Sequence, residues 1–264
     1  MPETDFEVSR EGSICTISLN RPAQHNALTP DMLKQLEQIA TSLREDAASR
    51  AVIIDAVGDN FSFGADLNVK REQPLSDVPL VERRRMMEQG ARMMRAVQEI
   101  HQPTICALQG VATGGGACIA TACDFRIGDE TCRVGYGEVR LGMNLMWHAL
   151  PTCVHLVGPA RAKRMVMTGK LFDAATLMEW GFLDALVKPD ALRATAGSWA
   201  SELAALPPVA VQMIKRSVNA ISGALDSSIM HMDTDQWLLA TESEDFQEGL
   251  AAFAEKRPPR FTGN

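Results

Sequence analysis

Two short apolar runs each lead into glycine. Ala51-Val-Ile-Ile-Asp-Ala-Val57 precedes Phe61-Ser-Phe-Gly-Ala-Asp-Leu67, and Thr104-Ile-Cys-Ala-Leu108 precedes Gln109-Gly-Val-Ala-Thr-Gly-Gly-Gly-Ala-Cys118. Runs of this length and apolarity read as strands buried on both faces. Gly64 and Gly114 to Gly116 let the backbone turn sharply and approach a ligand with no Cβ in the way. Ala117 to Cys123 follows as a helix of small residues, whose first-turn N–H groups favour negative charge. Alone, either glycine stretch is an ordinary turn. Together they can aim backbone N–H donors at one anion, such as the oxygen of a thioester enolate.

The rest of the chain is compatible with a mixed α/β protein. Phe6 to Ser9 and Ser13 to Leu19 predict a hairpin around Glu11 and Gly12. Thr29, as a cap, and Pro30, at the first position, start a helix expected to run to about Ala48. Met86, Met87, Gly90, Met93, Met94, Val97 and Ile100 fall at helical spacing and predict one long helix from Ser76 to Ile100. Its methionines would fill core or form a pliable acyl-pocket wall. Arg83, Arg84, Arg85, Arg92 and Arg95 read as a solvated face, or as attractors of phosphate. Further helices are expected over 159–168, 173–180, 191–206, 208–221 and 227–239.

Composition narrows the class. With 46% hydrophobic residues, the 264-residue chain can bury a sizeable core in one domain, or one domain with a small appendage. No run of 18 apolar residues exists. The start, Met1 to Glu7, is acidic and without an apolar stretch, so no signal or transit peptide is read there and the cytoplasm is the expected location. The six cysteines show no C-x-x-C spacing and sit mostly in apolar runs, which predicts buried free thiols and no metal site. A net charge of −7 argues against nucleic acid as a general partner.

Several motifs carry a family resemblance. Asn20-Arg-Pro-Ala-Gln-His-Asn-Ala-Leu28, Phe61 to Leu67, Gln109 to Cys118 with Cys123-Asp124, Gly137-Glu-Val-Arg-Leu-Gly142 and Phe253-Ala-Glu-Lys-Arg257 resemble, in order and spacing, the enoyl-CoA hydratase/isomerase (crotonase) superfamily. The resemblance spans nearly the whole chain. It implies a crotonase-like spiral of ββα repeats over residues 1–200 and a C-terminal helical trimerisation region over 201–264. It also implies a homotrimer or hexamer, with coenzyme A entering as part of an acyl-CoA substrate and no tightly bound cofactor.

The resemblance also assigns residues. Glu138 matches the general acid/base that exchanges a proton with a carbon of the acyl group, and burial would raise its pKa toward the working pH. Ala65 and Gly115 match the N–H donors to the enolate oxygen. Ala23, Gln24, His25 and Ala27 match the loop around pantetheine and adenine, and Asp66 and Leu67 the strip beside the adenine. Phe253 and Lys256 match residues that reach a neighbouring subunit's CoA, while Arg21 reads as structural.

Two departures bear on the reaction. Cys118 stands where hydratases carry a second Glu; a neutral thiol cannot act as that base, and Cys118 reads as a packing residue or, as a thiolate, a nucleophile. Met143 to Leu150 replaces a Pro/Gly-rich turn and predicts a bulkier pocket floor. Trp147 and His148 there would contact substrate, and His148 either assists proton transfer or is structural. With one carboxylate left, double-bond isomerisation is the first expectation. Hydration with an atypical site comes second, and a weakly catalytic CoA-binding scaffold is a third reading; decarboxylation, hydrolysis and C–C cleavage use the same enolate hole.

Overall fold

The computed structural model describes residues 5–69 and 75–264. Strand β1 (Phe6–Glu11) turns at Gly12 into the antiparallel β2 (Ile14–Leu19), the expected hairpin. Helix α1 (Pro30–Ser42) opens with Thr29 Oγ1 accepting the Met32 N–H at 3.1 Å. It stops short of Ala48. Gln102 Nε2 donates to the carbonyls of Leu43 and Asp46, and Asp46 Oδ1 accepts the Ala48 N–H, so local bonds replace the helical ladder. Strand β3 (Ala51–Ala56) comes next.

Helix α2 (Leu80–Gln98) is shorter than the predicted 76–100. Leu75–Asp77 forms a separate 3-10 turn, and Pro79 disfavours helical backbone at Val78. The side chain of Ser76 lies outside the described residues. Met93 and Met94 are fully buried and Met87 packs against the core, whereas Met86 is exposed, so these methionines chiefly fill core. Arg84, Arg85, Arg92 and Arg95 are exposed, as the solvated-face reading expects, and some of these arginines also pair with acids: Arg84 with Asp235 and Glu88, Arg83 with Glu242.

The chain continues through β4 (Thr104–Leu108), β5 (Val111–Thr113), α3 (Gly115–Ala122), β6 (Phe125–Asp129), β7 (Arg133–Gly135), α4 (Ala149–Thr168), β8 (Phe172–Asp173), α5 (Ala174–Glu179) and β9 (Ala185–Val187). Strands β1-β2-β3-β4-β6-β9 form one sheet, parallel after the hairpin, and β5-β7-β8 a second. Strand β3 is buried on both faces, as its apolar run predicts. Val52 and Ile54 join the main core with α1, α2 and α3, while Ile53 faces α6 (Leu192–Ala204) with Ile105 and Ile127. Helix α4 breaks at Gly158 (φ 76°, ψ 162°) before Pro159.

The C-terminal region holds α7 (Pro208–Ser222), α8 (Ser227–Met230), α9 (Asp233–Thr241) and α10 (Glu244–Glu255), so the predicted helix over 227–239 is two helices. Helix α9 packs on α2, and α10 lies across the turn Glu138–Leu141. That crossing is at backbone distance: a Cβ on Gly142 would lie 2.9 Å from Phe246 Cα, and one on Gly249 2.7 Å from the Leu141 carbonyl carbon. All six cysteines are free and buried. Among the described residues no helix is long and apolar enough to cross a membrane.

Candidate active site

The two glycine corners meet. Ser62 N–H donates to the Val111 carbonyl at 3.0 Å, and Thr113 N–H donates back to the Ser62 carbonyl at 3.0 Å, which sets the first corner against β5. Gly64 has φ 80°, and a Cβ there would lie 2.6 Å from Thr113 O and 3.0 Å from Gly115 N. Gly114, at φ 52° and ψ −121°, occupies backbone space that L side chains avoid. Among the described residues, neither the Ala65 N–H nor the Gly115 N–H donates a hydrogen bond. The second of these opens α3, where the helix dipole favours an anion.

Glu138 begins a 3-10 turn that Gly142 closes in the left-handed region, with Met143 N–H donating to the Glu138 carbonyl at 3.1 Å. The residue is partly exposed, yet its Oε2 is sealed from solvent and has no hydrogen-bond partner among the described residues. A Cβ on Gly114 would sit 3.2 Å from Glu138 Oε1, so the carboxyl lies directly against the glycine corner. Burial pushes its pKa up to about 7, against a smaller lowering by its own backbone amide. This is a carboxyl poised to take and return a proton near neutrality.

A consequence for stability follows from this burial. The folded pKa of this acid is raised above the unfolded value, so its contribution to stability is greatest below about 4.5 and is lost as pH rises to about 7. Glu138→Gln is therefore expected to melt above wild type at pH 8, by up to about 3 kcal/mol, with the difference gone below about pH 5. Thermal melts of the two proteins across this range check it; an equal gap at every pH would refute the buried charge.

Cys118 is 1% exposed and one turn into α3, its N–H bonded to the Gly114 carbonyl at 2.9 Å. Burial raises its thiol pKa far above the usual range, and the negative charges of Glu138 and Asp233 raise it further. At neutral pH it is a thiol. Trp147 and His148 follow in left-handed backbone, at φ 66° and 59°. The Trp147 indole lies over Gly115, where a Cβ would meet its Cη2 at 2.8 Å. His148 donates its N–H to Asp233 Oδ2 at 2.9 Å; burial, then Arg95, lowers its ring pKa.

The first strip is zipped to the first glycine corner by backbone bonds: Phe63 N–H to the His25 carbonyl (3.0 Å), Leu28 N–H to Gly64 (2.7 Å) and Asp66 N–H to Leu28 (2.9 Å). Ala23, Gln24, His25, Ala65 and Leu67 are exposed along it, and Ala27 and Asp66 are half-buried. His25 stacks on Phe63 at 4.5 Å. Arg21 holds the strip from below, donating to the Ala27 carbonyl at 2.6 Å and pairing with Asp66 at 3.3 Å. Phe253 and Lys256 are exposed at the end of α10, and no hydrogen bond or ion pair joins them to this strip among the described residues.

Two organising residues escaped sequence reasoning. Asn26, fully buried, donates to the carbonyls of Val57 and Asn60 and accepts the Arg21 N–H, which ties the strip to β3. Its place in a quoted motif was the available signal. Asp233 had none, since nothing in its local sequence sets it apart from Asp235.

With the site in place, its relatives can be compared. The family model described as Enoyl-CoA hydratase/isomerase matches residues 9–264. The chain belongs to this family. Within this crotonase superfamily, it is 29% identical over 251 residues to the short-chain-enoyl-CoA hydratase of Clostridium acetobutylicum, covering 95% of this chain and 94% of that one. It is 30% identical over 264 residues to the 1,2-epoxyphenylacetyl-CoA isomerase of Escherichia coli, covering 96% of each. A crystal structure of an enoyl-CoA hydratase from Mycobacterium avium subsp. paratuberculosis shares the fold, with a TM-score of 0.88 at 24% identity over 99% of this chain and 100% of that chain. The enoyl-CoA hydratase/isomerase family acts on CoA thioesters, and this chain is an enzyme of that family.

Proposed function

We propose that this enoyl-CoA hydratase/isomerase family member shifts the double bond of an enoyl-CoA, with Glu138 as its single acid/base and the Ala65 and Gly115 N–H groups as donors to the enolate oxygen. The observation that carries the reading is the lone carboxyl against the glycine corner, beside a neutral Cys118 thiol. Glu138 takes a proton from C2, negative charge moves to the thioester oxygen, and the same carboxyl returns the proton at C4. Preorganised N–H donors lower such a barrier by about 3 kcal/mol each. In this reading Ala23, Gln24, His25, Ala27, Asp66 and Leu67 embrace the CoA, and Phe253 and Lys256 serve the CoA of a neighbouring subunit. The exposed apolar face of α7, with Val209, Met213 and Ile214, then packs between copies in a trimer or hexamer.

Hydration is the second reading, favoured by the relatives' names. One assay separates them. A 3-enoyl-CoA whose absorbance rises as the conjugated 2-enoyl thioester forms, with no change of mass, supports isomerisation. A 2-enoyl-CoA whose absorbance falls with the mass of one water gained, alongside an inert 3-enoyl-CoA, overturns it in favour of hydration.

A further inference from the structure

Two consecutive bulky residues in left-handed backbone are unusual, because each places its Cβ against the following carbonyl. Trp147 and His148 adopt this conformation immediately before α4. Such backbone persists only where its surroundings over-determine it. Here the holding group is Asp233, the first residue of α9, 8% exposed. Its Oδ2 accepts the His148 N–H at 2.9 Å; burial raises its pKa to about 6, against a smaller lowering by the His148 and Trp147 amides. Among the described residues Asp233 makes no ion pair, so this buried carboxyl is directed at the backbone of the corner through the His148 amide. Its neighbour Asp235 is turned the other way, toward Arg84 of α2.

The corner places one ring. The Trp147 indole fills the space between Gly90 of α2 and Gly115 of α3; a Cβ on Gly90 would overlap its Nε1, and one on Gly115 its six-membered ring. Leu28 closes the same space at 3.0 Å from the Gly115 position. Trp147 is 9% exposed and packed between α2 and α3, while the Arg84–Asp235 pair, with Arg83–Glu242 just past its end, holds α9 to α2.

We infer that Asp233 is a positioning residue that fixes the Trp147 indole as the end wall of the acyl pocket, so that the enzyme selects short acyl groups. This rests on the reading of Gly115 as an enolate donor. Carbons beyond those facing Glu138 then run into the indole, and a pocket closed by a rigid wall rejects added methylenes by steric overlap.

Calorimetric titration of the full-length chain with two unreactive saturated thioesters, butyryl-CoA and octanoyl-CoA, tests this. Wild type is expected to bind butyryl-CoA at least about tenfold more tightly. Trp147→Gly, which suits the backbone and removes the ring, is expected to abolish that ratio. Asp233→Ala should lower it in the same direction by releasing the corner, and Asp233→Asn, which keeps an acceptor for the His148 amide, should restore most of it. If Asp233→Ala does not fold, Asp233→Ser carries the same expectation at smaller amplitude. A ratio unchanged in Trp147→Gly, or kept in an Asp233→Ala protein that merely melts lower, overturns the proposal. A wild type that binds both thioesters equally removes the wall but leaves the CoA reading intact; a wild type that binds neither removes both.

Discussion

Replacement of Glu138 by Gln is expected to lower turnover of an enoyl-CoA about a thousandfold while leaving the dissociation constant of a saturated thioester within a few-fold of wild type. The substitution keeps the volume and planarity of the side chain in a place where both matter, since Oε1 rests against Gly114 and Oε2 is sealed in. What it removes is the ability to hold a proton and give it back. No neighbour can take over. Cys118 is a thiol whose pKa is raised by burial and by Glu138 itself, and Asp233 is committed to the His148 amide of the next corner. The same carboxyl makes the wild-type rate fall below about pH 7, as protonation removes the base, with a limiting tenfold loss per pH unit. Steady-state absorbance assays paired with calorimetry read both quantities. Unchanged turnover would remove Glu138 from the reaction.

The second large effect is expected at Gly64. Gly64→Ala adds one methyl group at a position with φ 80°, 2.6 Å from the Thr113 carbonyl oxygen and 3.0 Å from Gly115 N. Both obstacles are backbone, so no rotamer change relieves them. The two corners must part, and the Ala65 and Gly115 N–H groups part with them. Losing the geometry of one donor costs about a hundredfold to a thousandfold in rate. The expected protein is therefore slow by at least that factor and less stable, with thioester affinity less affected than rate. Gly197→Ala, in α6, where an added Cβ meets nothing within 4 Å, is the matched control. Equal rates for the two variants would show that the corners need not stay in contact.

The parts legible in the sequence were those dictated by local chemistry. An unbroken apolar run specifies a strand buried on both faces, and β3 is one. Thr29-Pro30 specifies a helix start, and the glycine stretches specify close backbone approach, which Gly64 and Gly115 make. Helix ends were less legible because distant side chains decide them: Gln102, some sixty residues away, takes the carbonyls at the end of α1. The exposed face of the α2 arginines was legible, but the ion partners of Arg83 and Arg84 were not, since Glu242 and Asp235 are far away in sequence. At the site, Trp147 and His148 stood out by departing from a glycine-rich pattern. Asp233 did not, because only the folded chain brings α9 to the amides of that turn.

The passage of α10 over the Glu138 turn makes the shape of that turn depend on a distant part of the sequence. Gly142 and Gly249 meet at backbone contact distance with Phe246 and Leu141, so the Glu138 turn is held in part by residues more than a hundred positions later. Proteolysis that removes α10 is therefore expected to loosen the Glu138 turn as well as to take away Phe253, so the place of the carboxyl depends on a helix far from it in sequence.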